Sequence, residues 1–123
     1  MPSDQEFRQI AQVIASADGR ITGVHLFGSQ AKNLAKPDPQ YQPDHHDTDI
    51  AILVRSDQSP GVYNVKGPIG QRVRQALRDS GYQVGKGAGC VDFDLARDAI
   101  QSPPPEQQGI IGRAFLSGRK LWP

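Results

Sequence analysis

Asp47-Thr48-Asp49-Ile50-Ala51-Ile52-Leu53-Val54-Arg55 is the stretch that decides the fold of this chain. From Asp49 to Arg55 it is a nearly continuous apolar run, which predicts a strand buried on both faces. In a strand, residues i and i+2 point to the same face. Asp47 and Asp49 are therefore expected side by side at the mouth of that strand. Two carboxylates so placed repel each other, and a low-dielectric rim strengthens the repulsion. A divalent cation resolves the conflict, and an all-oxygen pair suits Mg²⁺. Taken alone, the pair reads as a loop residue followed by a strand-edge charge.

Upstream, Ile21 to Phe27 is apolar and β-branched enough to predict another strand. It runs into Gly28-Ser29 and a short helical stretch over Ser29–Leu34. Glycine at such a handover lets a ligand approach the backbone. A hydroxyl and free N–H groups at a helix start suit a phosphate oxygen. Before that strand, the capping box Ser3-x-x-Glu6 opens a helix with Phe7, Ile10, Ala11, Ile14 and Ala15 on its apolar side, stopped by Asp18-Gly19. The polar stretch 36–48, with Pro37, Pro39, Pro43 and the adjacent pair His45-His46, is expected as a long loop.

Downstream, residues 56–68 form a second loop. Ile69, Val73, Ala76 and Leu77 mark an amphipathic helix closed by Gly81. Gly85-Lys86-Gly87-Ala88-Gly89 has the glycines of a phosphate loop without its Lys-Ser/Thr ending, and is read as a strand-entry or hairpin turn. Cys90 to Leu95 alternates as a strand and carries Asp92 and Asp94 on one face. Acidic residues are depleted in strands and costly to bury, so a second acidic strand is hard to explain as packing. If the two strands are neighbours, three carboxylates converge, as in metal-dependent phosphoryl or nucleotidyl transfer. A last helix is expected from Pro105 or Glu106, with Ile110, Ile111, Ala114, Phe115 and Leu116 as its apolar side. Strands separated by helices give one α/β domain over residues 1–123, a small mixed sheet flanked by helices, with no repeat and no dividing linker.

Composition narrows the function classes. At 123 residues the chain suits one domain. Fourteen basic against 13 acidic residues leave a net charge of +1, which argues against binding nucleic acid by bulk charge. Any polyanion contact would need a local cluster. No apolar run approaches a bilayer span, and the opening Met1-Pro2-Ser3-Asp4 is unlike a signal peptide. The single Cys90 makes no internal disulfide, and a cytoplasmic home is expected. Cys90 itself is expected as a small buried side chain. A zinc site would need more than His45, His46 and a packed His25. Lys66, Arg72, Arg74 and Arg78 read as a solvated helix face, with one of them a candidate triphosphate contact.

Together these residues resemble the minimal nucleotidyltransferase (MNT) domain of the polymerase-β-type superfamily. The likeness lies in Phe27-Gly28-Ser29-Gln30-Ala31-Lys32, in Asp47-Thr48-Asp49 leading into an apolar strand, in a later strand aspartate, and in the ending Arg113 to Trp122. The spacer between Ser29 and Asp47 is longer than in compact members, an insertion around Pro39–His46. The resemblance implies the nucleotidyltransferase fold and transfer of a nucleoside monophosphate, AMP from ATP or another nucleoside triphosphate, to an acceptor hydroxyl. It implies a two-metal Mg²⁺ site at Asp47, Asp49 and Asp92, with Asp94 as the alternate. It implies nucleotide binding by Gly28, Ser29 and Lys32. It also implies an antitoxin role, in which the protein adenylylates a helical HEPN-type partner. Two other readings fit the same residues: a non-catalytic MNT-fold module that neutralises a helical partner by contact, and a domain that needs a partner chain, or a second copy, to complete its acceptor site.

Overall fold

A computed structural model describes residues 4–98 and 118–123. Ser3, and the last helix expected around 105–116, lie outside the described residues. The order is α1 (Asp4–Ala17), β1 (Ile21–Phe27), α2 (Gly28–Ala35), β2 (Thr48–Val54), α3 (Pro68–Asp79), β3 (Val91–Arg97) and β4 (Arg119–Trp122). The strands form one mixed sheet in the order β3-β2-β1-β4. β1 is antiparallel to both β2 and β4, and β2 is parallel to β3. This is the small α/β architecture expected from the alternation of periods.

The core explains why each element forms. Phe7, Ile10, Ala11 and Ile14 of α1 recur at helical spacing and pack with Ile69, Val73 and Leu77 of α3. Against them lie Val24 and Leu26 of β1, Ile50, Ile52 and Val54 of β2, and Val91, Phe93 and Leu95 of β3. Ala51 and Leu53 point to the other face of β2 and are buried as well. β2 is thus buried on both faces, as its unbroken apolar run predicts. Gly23, opposite Leu53, leaves room for that leucine, because a Cβ there would sit 3.0 Å from Leu53 Cδ1.

Topology then sets the ends of the strands. A parallel pair needs a long crossover, and residues 55–90 supply it with α3 at its centre. β2 and β3 therefore start at the same edge of the sheet. β1, antiparallel to β2, finishes at that edge, with Phe27 opposite Asp49. Among the described residues, no helix is long and apolar enough to cross a membrane.

Candidate metal centre and adjoining cleft

The strand ends bring the acidic residues together. In the parallel ladder Asp49 lies directly opposite Asp92, and Ala51 opposite Asp94. Asp47 precedes β2 by one residue. Asp47, Asp49 and Asp92 are each half-buried, and each offers a carboxylate oxygen within 4.8 Å of the others. Asp94 sits two residues further along β3, is exposed, and stays outside that cluster. Same-face periodicity left Asp92 and Asp94 equivalent; the parallel register separates them.

Electrostatics follow from this crowding. Burial, reinforced by the charges of Asp47, Asp92 and Asp94, pushes Asp49 from 3.8 up to about 6. Asp92 is also raised, by burial first and then by Asp47 and Asp94. Lys86 opposes both shifts. It stands in the Gly85–Gly89 turn, which feeds β3 through the bonds Gly85 N–H to Val91 O and Val91 N–H to Gln83 O. That turn is a strand entry, and its lysine faces the carboxylates.

Gly28 is fitted to Asp49. Its φ of +76° lies in the left-handed region, and a Cβ there would collide with Asp49 Oδ2. Ser29 is half-buried at the start of α2, and its Oγ lies 2.9 Å from the Tyr41 hydroxyl. Tyr41 comes from the insertion and stacks on His46, with ring centroids 4.7 Å apart. The insertion is fixed at its far end by Gln30 Nε2 donating to Pro43 O and by Gly89 N–H donating to His46 O. Lys32 is exposed on α2 and lines none of the cavities around the cluster.

A cleft of about 370 Å³ opens on the β3 side of the cluster. Asp49, Asp92 and Asp94 form one wall, Phe27, Val65, Val84 and Phe93 the apolar part, and Arg74 and Lys86 the cationic part. Gly28 and Ser29 do not line it. Arg74 is held in place: its guanidinium lies 5.4 Å from the Phe93 ring centroid and donates to Val65 O. Sequence reasoning placed Arg74 on a solvated face and Lys86 in a plain turn. Tertiary packing gives both a wall of the cleft; the sequence offered Arg74 only as one of four basic residues and Lys86 only as a lysine among glycines. Arg72 pairs instead with Asp18. Cys90 is half-buried, not buried, because it sits at the exposed end of the turn before β3.

Three mutually repelling carboxylates with hard oxygen donors and no histidine or cysteine among them form a set suited to Mg²⁺ or a similar divalent cation. No family model, no curated protein and no solved structure matches the chain.

Proposed function

We propose that the protein is a metal-dependent nucleotidyltransferase that moves a nucleoside monophosphate, AMP from ATP in the first instance, onto an acceptor hydroxyl. The observation that carries this reading is the Asp47, Asp49 and Asp92 cluster placed beside Gly28-Ser29 at one sheet edge. Asp47, Asp49 and Asp92 would hold Mg²⁺, which supplies neutralisation of the charge on the entering and leaving oxygens. The absence of a Cβ at Gly28 keeps the Asp49 carboxylate in place. Ser29 Oγ and the first N–H groups of α2 bind oxygens of the phosphate tail. The acceptor oxygen forms a bond to the α-phosphorus, the α–β bridging bond breaks, and pyrophosphate leaves with the electron pair. The acceptor proton passes to water. The side chains mainly hold the reacting groups in line.

The test is calorimetric titration with ATP and AMP, with and without Mg²⁺, beside an assay with α-labelled nucleotide. Mg²⁺-dependent preference for the triphosphate, lost in Asp49→Asn, is the expected result. Equal weak binding of ATP and AMP, indifferent to Mg²⁺, would overturn the reading. The helical protein partner that the resemblance implies enters the labelling assay as one candidate acceptor.

A further inference from the structure

We infer that Lys86 is a tethered counter-ion of the acidic cluster, which the divalent cation displaces and which then turns to the phosphates of the nucleotide. The inference rests on the nucleotidyl-transfer reading and goes beyond it by naming what controls metal entry at that site. The cluster leaves its own charge uncancelled. Asp49, Asp92 and Asp94 line the cleft against two cations, Arg74 and Lys86, and Asp47 adds a fourth carboxylate at the same edge.

The two cations differ in freedom. Arg74 is half-buried, with its guanidinium over the Phe93 ring and donating to Val65 O, so it cannot follow a change of charge at the cluster. Lys86 is exposed, and among the described residues no carboxylate pairs with it and no hydrogen bond holds its ammonium. The backbone beneath it is the fixed part. Gly85 N–H donates to Val91 O, Cys90 N–H to Gly87 O, and Gly89 N–H to His46 O. Gly85 and Gly87, on either side of Lys86, have φ of +140° and +135°, a shape that glycine holds without strain. The turn is thus a mount, and the flexible four-carbon side chain of Lys86 is the moving part. From there its charge still reaches Asp49 and Asp92, pulling both down against their burial and their acidic neighbours.

An ammonium and a divalent cation at the same carboxylates repel each other. Each therefore weakens the hold of the other, by the same factor in both directions. Once metal fills the cluster, the attraction that draws Lys86 inward is gone. The anion then within its reach is the triphosphate that the metal carries, and the ammonium has three donors for phosphate oxygens. One side chain thereby weakens binding of bare metal and strengthens binding of the metal–nucleotide complex. The site loads with the complex in preference to the metal alone.

The experiment uses the full chain and two titrations. Mn²⁺, a carboxylate-binding cation visible by electron paramagnetic resonance, is titrated without nucleotide. ATP is titrated by calorimetry at saturating Mg²⁺, where the competition for metal no longer contributes. Lys86→Gln should bind Mn²⁺ about fivefold tighter than wild type and ATP about fivefold weaker. Lys86→Arg, which keeps the charge, should stay within twofold of wild type in both. In metal-free buffer Lys86→Gln should melt below wild type, and saturating Mn²⁺ should close the gap, which a merely structural lysine would leave open. The opposite signs of the two affinity changes are the signature of displacement. Either affinity unmoved, or both weakened together, overturns the inference while the reading of the site stands. Absence of Mn²⁺ binding to wild type, or Mn²⁺ binding that Asp49→Asn leaves intact, overturns the metal-dependent reading itself and the inference with it.

Discussion

β1 has a partly or wholly buried aspartate at each end, and the two are treated in opposite ways. Asp18, just before the strand, has a side chain only 2% exposed. Its Oδ1 accepts from Arg20 N–H and Nε, and its Oδ2 from Arg20 Nη2 and Arg72 Nη1, at 2.9–3.0 Å. The Arg20 bonds, with help from Arg72, hold it down at about 2 in spite of burial. Asp49, opposite the other end of β1, is less buried yet is pushed up to about 6. Among the described residues no cation bonds to it; other carboxylates crowd it, and Lys86 offsets them only in part. Burial depth alone thus does not set the charge state. At Asp18 the chain supplies its own cations, and the result is structure. At Asp49 it supplies more anions, so neutralisation must come from a proton or a bound cation.

The largest expected effect of breaking this contrast is at Asp49. Asp49→Asn should lower nucleotidyl transfer at least a thousandfold, about 4 kcal/mol of barrier, as initial-rate assays with labelled ATP would show. The same variant should melt higher than wild type in metal-free buffer at pH 7, because it removes the repulsion. A variant both inactive and less stable would make Asp49 a structural residue like Asp18.

The pH dependence sharpens the contrast, since the two groups act with opposite sign. Asp49 is raised in the fold, so its contribution to stability is complete below 3.8 and is lost as pH climbs through about 6. That loss is on the order of 3 kcal/mol. Asp18 is depressed, so its contribution is complete above 3.8 and is lost as pH falls through about 2. Denaturant melts of the metal-free protein should therefore lose stability between pH 4 and 6.5, and Mg²⁺ should restore it at pH 7 but not at pH 4. A profile flat over that window and blind to Mg²⁺ would contradict the cluster. Asp18→Asn should cost about 2 kcal/mol at pH 7, read from the same melts, with metal binding unchanged.

How much of this was legible in the sequence follows from the range of each signal. The burial of β2 was readable because Ile50 to Val54 needs no partner to be recognised. The pairing of Asp47 and Asp49 was readable because strand periodicity is local. The choice between Asp92 and Asp94 was not, since both share a face and only the parallel register puts Asp92 opposite Asp49. Arg74 could not be told from Lys66, Arg72 and Arg78 because its helix is amphipathic by pattern, and only the position of Phe93 shows where the guanidinium rests. The contact between Ser29 and Tyr41 joins residues across an insertion of irregular backbone, where no period exists to read.

Ser29→Ala addresses the other half of the site. It should weaken ATP binding by about 2 kcal/mol, the worth of a charge-assisted hydrogen bond, and leave AMP binding nearly unchanged. Calorimetry of both ligands checks it, and equal losses would place Ser29 away from the tail. A loss confined to ATP would make Asp49 and Ser29 differ in kind, one binding a cation and the other an anion.

The smallest expected effect concerns Tyr41, and its sign follows from the chemistry of hydroxyls. Either oxygen can be the donor in the free protein. Ser29 has a single hydrogen to give, and a phosphate oxygen can only accept. Once a tail oxygen takes that hydrogen, Tyr41 must donate to Ser29, and the result is a chain from Tyr41 through Ser29 to phosphate. Hydrogen bonds in such a chain polarise one another and strengthen modestly. The stack on His46 holds the tyrosine ring. Tyr41→Phe keeps the ring and removes only the hydroxyl. It should weaken ATP binding about threefold, or roughly 0.7 kcal/mol, with no change for AMP. Tighter ATP binding in Tyr41→Phe would mean that the tyrosine competes with phosphate for Ser29, and the insertion would then restrain the site instead of supporting it.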